Sequence, residues 1–266
     1  MSMRRLPLFI AVLWCLTALS GIALAAEYHV GPGQQYATLN DLLASVTLGD
    51  NDIAWIHPGT YGPVTISSGG GSSQETAAQV RAWDLNDKPV FDGGGTDNCI
   101  EIGSGPEKWW KLVGIEQTNS NYRGIYHLCG GLILEECYIH DNAKNGIFTS
   151  MCGTRDDAHA RLIVERCELA RNGSGTQYHS WYIQEYWVKA RYNWTHDPQG
   201  GICFKDRSRE SHLEYNLIES GPNGAGCAIS FCGWDDSEMP DVGQTATMVG
   251  NVVTKNGGGN HWLFIN

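Results

Sequence analysis

The chain is nearly devoid of helical periodicity. One short amphipathic stretch near Thr38–Ser45 is all that reads as a helix, which excludes helix bundles and helix-layered sheets. Basic residues are scarce as well: 18 Lys and Arg stand against 29 Asp and Glu, a formal charge of −11. Such a chain is a poor general binder of nucleic acid or anionic polymers. A polyanion would have to be gripped by a local basic strip or a bound cation. No paired C-x-x-C spacing occurs, which excludes the usual zinc frames. The signatures of leucine-rich and ankyrin repeats are missing. After the first 24 residues no apolar run is long enough to span a bilayer. The aligned strands also offer no outward column of Asp or Glu of the kind that glycoside hydrolysis needs.

The one long apolar run lies at the start. Arg4 and Arg5 precede Leu6 to Leu24, and "ALAA" at 23–26 supplies a small-residue cleavage site. Residues 1–26 therefore read as a bacterial-style signal peptide, and the mature protein, 27–266, is expected to be secreted or periplasmic, with no membrane insertion after cleavage. Loss of Arg4 and Arg5 takes the charge from −11 to −13. Of nine cysteines, Cys15 leaves with the leader. The remaining even set permits disulfides in an oxidising compartment, but small buried thiols are the expectation.

A repeat organises the rest of the chain. "LILEECYIHDN" from Leu132, "LIVERCELARN" from Leu162, "SHLEYNLIESG" from Ser211 and "TMVGNVVTKNG" from Thr247 share one beat. "WVKARYNWTHD" from Trp187 fits between them less cleanly. Each has alternating apolar residues, a Cys or Asn, further apolar positions and a polar turn. A second set begins at glycine: "GIYHLCG" from Gly124, "GIFTSMCG" from Gly146, "GICFKDR" from Gly201 and "GCAISFCG" from Gly226, with "SWYIQEY" from Ser180 in the same register. Short strands recurring at a period of roughly 25–35 residues predict a solenoid. Abundant glycine, asparagine and β-branched residues predict an all-β, single-stranded parallel β-helix as one domain over 27–266. Cys137, Cys167, Asn216 and Asn251 fall in one column, where an inward amide can bond the next coil and a Cys fills the same space as a free thiol.

The opening "YHVGPGQQYATLNDLLASVTLGDNDIAWIHPGTYGPVTI" resembles the start of right-handed parallel β-helix proteins of the pectin-lyase-like superfamily. The resemblance implies a short strand leading into a capping helix, at about 36–46, that covers the open end of the core. It extends over essentially all of 27–266. "HSWYIQ", "GGICFKDRSRESHLEYNLI" and "ATMVGNVV" are similar to an exported, largely uncharacterised group within that superfamily. The superfamily hosts polysaccharide lyases, hydrolases, epimerases and non-enzymatic surface proteins, so the resemblance implies a fold more narrowly than a reaction.

Within the aligned glycine-led strands, Tyr126, Phe148, Tyr182, Cys203 and Ala228 are expected in one outward column. Leu128, Ser150, Gln184, Lys205 and Ser230 form the next, and Tyr186 and Arg207 stand in a third. Lys205 and Arg207 are two apart and share a face, with Tyr182, Gln184 and Tyr186 one coil below. Aromatic rings stack on pyranose faces, while Lys and Arg meet carboxylates. This pattern points to binding of an extracellular polysaccharide. Related lyases use Lys or Arg as base and calcium or a second basic residue as neutraliser. By resemblance, Lys205 is the candidate base and Arg207 the candidate neutraliser of a uronate β-elimination. Asp206 and Glu210, read as neighbouring surface charges, oppose the loss of a proton from Lys205. His179, and the pair His196–Asp197, are candidate acid/base groups. Asp235 and Asp236, with Glu238 and Asp241, form an acidic loop that could ligate Ca2+, although it lacks a regular D-x-D-x-D pattern. The alternatives are a non-catalytic carbohydrate-binding surface protein and a glycoside hydrolase. The final "GGGNHWLFIN" ends in a strand-like run from His261 to Ile265 with no polar cap, which predicts that the helix continues past Asn266 or that a partner covers its last coil.

Overall fold

A computed structural model describes residues 25–95, 98–128, 130–150, 160–223, 227–232, 243–256 and 263–265. The strands build three sheets, one of nine strands and two of eight, in which neighbouring strands run parallel. The first sheet runs from Glu27–Val30 to Thr245–Val249, the second from Thr60–Tyr61 to Val252–Lys255, and the third from Val64–Ile66 to Leu263–Ile265. From Ile53–Ile56 onward, each coil contributes one strand to each sheet in turn. The expected parallel β-helix is thus the observed one.

Each repeat that reads as one long strand is two strands joined at a sharp corner. Gly131–Glu135 belongs to the first sheet and Tyr138–His140 to the second. Glu136 between them has φ 55°, and Arg166, Tyr192, Tyr215 and Gly250 repeat that left-handed corner at φ 54°, 58°, 54° and 64°. A left-handed residue strains any side chain with a Cβ, so each corner must be held by the residue next in the chain. Inside the corner, Cys137, Cys167, Asn193, Asn216 and Asn251 stack in a column. Asn193 Nδ2 donates to Asn216 Oδ1 at 2.9 Å, and Asn216 Nδ2 to Asn251 Oδ1 at 2.8 Å. The backbone N–H groups of Cys167, Asn193 and Asn216 donate to Oδ1 of Asn193, Asn216 and Asn251 respectively. The polar groups freed by the bend are thereby satisfied. Cys137 and Cys167 remain thiols, with the Cys137 N–H donating to Cys167 Sγ at 3.4 Å.

A second amide ladder, not foreseen from the sequence, lies inside the solenoid toward the turn from the second sheet to the third. Gln117 and Asn142 exchange two hydrogen bonds, and Asn142 donates to Asn172 at 2.8 Å. This ladder explains the glycine that opens third-sheet strands. A Cβ on Gly124 would lie 2.1 Å from Gln117 Oε1, and one on Gly146 2.8 Å from Asn172 Nδ2.

The core is a continuous apolar column that includes Leu112, Leu134, Val164 and Leu213. At its start sits the helix Leu39–Ser45, capped by Thr38 and Asp41 in a reciprocal box, with Leu39 and Leu42 buried. Burying each leucine is worth about 1.5–3 kcal/mol. The expected N-terminal cap is therefore present.

Candidate functional site

The candidate residues Tyr182, Lys205 and Arg207 lie on the third sheet or at its rim. Its outward column runs Glu101, Tyr126, Phe148, Tyr182, Lys205 and Ser230 by direct strand register. The rings of Tyr126 and Phe148 are 5.6 Å apart, and those of Phe148 and Tyr182 5.1 Å, both edge to face. Cations cover these rings. Arg123 Cζ lies 4.3 Å from the Tyr126 centroid and 4.2 Å from that of Phe148. Lys205 Nζ lies 4.8 Å from the Tyr182 centroid, and Arg207 Cζ 5.4 Å. Lys144 Nζ sits over Tyr122 and Tyr178, and Arg209 over Tyr186. The result is a strip of alternating rings and positive charges along a face of an otherwise acidic chain.

The expected outward column holds for Tyr126, Phe148 and Tyr182 and fails at the next two coils. Lys205, not Cys203, lies beside Tyr182. Gln184, one past the partner of Asp206, lies beside Arg207 rather than Lys205. Cys203 and Ala228 are fully buried instead of outward, and burial pushes the Cys203 thiol up to about 12. The physical reason is the turn before this strand. Gly201 has φ 63° and its N–H bonds Gly175 O, so the strand starts only at Phe204. Glycine-anchored alignment counts those turn residues as strand. The face still unites Lys205 and Arg207 with Tyr182 and Gln184 on adjacent coils.

Two further placements differ from expectation. Asp206 is not a surface charge but points inward, wholly buried. Its carboxylate accepts the Ser208 N–H at 2.7 Å and the Ser211 hydroxyl, while burial pushes its pKa above 3.8. Arg207 is only 6 % exposed, so its guanidinium is packed into the face rather than projecting into solvent. His179 is buried too. Its Nδ1 accepts the Ile202 N–H at 2.9 Å, and its ring meets Tyr182 edge-on at 5.5 Å. Burial first, then the charges of Lys205 and Arg207, lower its pKa to about 3. His179 is thus anchored behind Tyr182 with its Nδ1 already engaged.

Beneath the same face lies a buried pair the sequence does not reveal. His127 Nδ1 and Glu185 Oε1 are 2.9 Å apart with both side chains fully buried. Burial raises the Glu185 carboxyl above its ordinary value, against the pull of His127. On the second sheet, His196 Nδ1 meets Asp197 Oδ2 at 2.8 Å, as anticipated, and its Nε2 meets Glu168 at 3.0 Å. His140 repeats the arrangement with Asp141 and Glu116. Tyr186 contributes its ring under Arg209. Asp235, Asp236, Glu238 and Asp241 lie outside the described residues.

The first sheet carries an outward carboxylate pair. Glu135 and Glu165 hold the same place in the repeats from Leu132 and Leu162 and are register partners on its outer side. Lys111 and Arg166 bind Glu135, and Arg191 binds Glu165. Burial acts to raise the Glu135 carboxyl, but these cations hold it below its ordinary value.

Comparison with known proteins bears on the fold. The structure is similar to a crystal structure of pectate lyase Pel9A, with a TM-score of 0.57 and 17 % identity over 91 % of this chain and 63 % of that one. The chain thus spans less than two thirds of that enzyme. Two crystal structures of a pectin methylesterase from Aspergillus niger match at a TM-score of 0.42, with 12 % and 11 % identity over 89 % of this chain and 86 % of theirs. No protein-family model and no curated protein matches the sequence. What the likeness to that pectate lyase shows is the fold, a parallel β-helix of three sheets.

Proposed function

We propose that this protein works outside the cytoplasm and binds a uronate-containing polysaccharide along the third-sheet face. The observation that carries the reading is the strip itself, in which Tyr182 stands between an aromatic column and the cations Lys205 and Arg207. Rings stack on sugar faces while the cations meet carboxylates. The likeness to a pectate lyase is in keeping with this reading.

The same face supports a β-elimination. Neutral Lys205 Nζ takes the C5 proton of the uronate, and Arg207 neutralises the adjoining carboxylate as negative charge builds there. The C4–O bond breaks, C4 and C5 form a double bond, and solvent protonates the departing oxygen. A second reading, binding without cleavage, is favoured by the burial of Arg207, which limits direct contact with a substrate carboxylate.

One experiment separates the two. Purified protein is incubated with pectate, alginate and glycosaminoglycans while ultraviolet absorbance of the unsaturated product is followed. A rising signal that disappears in Lys205→Ala supports elimination. Retained binding without absorbance supports the non-catalytic reading. New reducing ends without absorbance would show hydrolysis and sink the lyase proposal.

A further inference from the structure

The strip of rings and cations on the third-sheet face stops at a carboxylate. One coil before Tyr126, the place in the outward column belongs to Glu101, and one coil before that to Thr65. Glu101 is half-buried. We infer that Glu101 ends the polysaccharide site and sets its specificity. The sugar lying over Glu101 carries no charge, being an esterified uronate or a neutral residue, while the charged uronates lie toward Lys205. The inference rests on the reading of this face as a surface that binds a uronate-containing chain.

Register and spacing carry the argument. Tyr126, Phe148, Tyr182 and Lys205 follow Glu101 on consecutive coils. Neighbouring strands lie about 4.8 Å apart, so Glu101 and Lys205 stand roughly 19 Å apart along the helix axis. An extended chain of pyranoses laid along the column advances by about one residue per coil. Its carboxylates near Lys205 and Arg207 meet positive charge. The residue that reaches the coil before Tyr126 meets Glu101 instead. Two carboxylates brought together on a partly desolvated face repel, and such like-charge contacts are costly enough to reject a ligand. A neutral sugar escapes that repulsion, and its hydroxyls donate to the carboxylate in charge-assisted hydrogen bonds.

The surroundings orient this carboxylate. Asn98 Nδ2 donates to Glu101 Oε2 at 2.9 Å, and Asn98 Oδ1 accepts from Arg123 Nη1 at 3.5 Å. One amide thus bridges Glu101 to a cation of the strip. Arg123 is drawn the other way, over the rings of Tyr122, Tyr126 and Phe148, with Cζ 3.9, 4.3 and 4.2 Å from their centroids. Positive charge and aromatic surface therefore lie on the Tyr126 side of Glu101. On its other side Thr65 offers neither a ring nor a charge, so the strip does not resume there.

The test is titration calorimetry of the full-length protein with tetragalacturonate and hexagalacturonate at low salt. The tetramer fits between Lys205 and Tyr126, whereas the hexamer is long enough to reach Glu101. Glu101→Gln keeps an oxygen for Asn98 and removes the charge. It should bind the hexamer at least about fivefold tighter than the wild type does, a gain of about 1 kcal/mol, and leave the tetramer unchanged. Melting curves establish that the variant is folded. Equal tightening of both oligomers would mean that Glu101 only tempers the charge of Arg123. Unchanged hexamer binding would mean that Glu101 does not meet the chain. Either result overturns the inference while leaving the reading of the face intact. Failure of that reading looks different: the wild type binds neither oligomer, or Lys205→Ala binds both as tightly as the wild type, and the inference falls with it.

Discussion

At the scale of single residues, the decisive fact is which way a charge points. Lys205, Asp206 and Arg207 are consecutive, yet Asp206 is fully buried and hydrogen-bonded inside while its neighbours stand outside over Tyr182. Because Lys205 is only half-buried, Lys205→Ala should change the melting temperature little. If the face is catalytic, the same change should lower activity by about 10²–10⁴-fold, the usual worth of a positioned proton-transfer group. Comparing initial rates with melting curves checks both halves. Glu185 makes a second case. Its folded pKa lies above its ordinary value of 4.5 because it is buried. As pH rises past 4.5 the unfolded chain loses that proton first, so stability falls until the folded carboxyl has also ionised. Glu185→Gln retains an oxygen to accept from His127 Nδ1 but has no proton to lose. The variant should show a shallower decline in melting temperature from pH 4.5 upward. An unchanged slope would mean that Glu185 does not carry this linkage.

At the scale of an element, the corner between the first and second sheets shows how strain is offset. Arg166, Tyr192 and Tyr215 are held left-handed, and the side chain after each one is buried in the ladder. Asn216 is its busiest member. It accepts from the Asn193 backbone and amide, and donates to Ala190 O and to Asn251. Asn216→Ala leaves several buried groups without partners and should cost about 2–3 kcal/mol. Denaturant unfolding measures it. A loss below about 0.5 kcal/mol would show that the amide ladder is not what holds the bend.

At the scale of the whole molecule, charge is distributed unevenly. The second sheet and its turns carry Glu116, Asp141, Glu168, Asp197 and Glu219, whereas the third-sheet face carries Arg123, Lys144, Lys205, Arg207 and Arg209. With a net charge of −11, the chain as a whole repels a polyanion, and the strip gathers five of its 18 basic residues. Binding of pectate should therefore weaken steeply as salt rises from 0.05 to about 0.5 M, since the screening length falls below about 10 Å above 0.1 M. Salt-independent binding would place the polymer elsewhere. The last coil described leaves Met248, Val249, Val252 and Leu263 exposed.

The solenoid, its corner amides and its helical cap are all legible in the order of the amino acids. Those features depend on contacts within one coil or between neighbouring coils, so strand alternation and a repeated Cys or Asn are enough to mark them. Lys205 and Arg207 are outward and near Tyr182 for the same reason. The register of the later third-sheet strands is different: it emerges only in three dimensions, because a tight turn at Gly201 consumes residues that alignment counts as strand. The same alternation sends Asp206 inward. Folding alone joined His127 to Glu185 across 58 residues and set His29 against His57. These pairings arise from how far each coil advances before it meets its neighbour. That advance is set by turn geometry summed around the helix, and no local pattern records it.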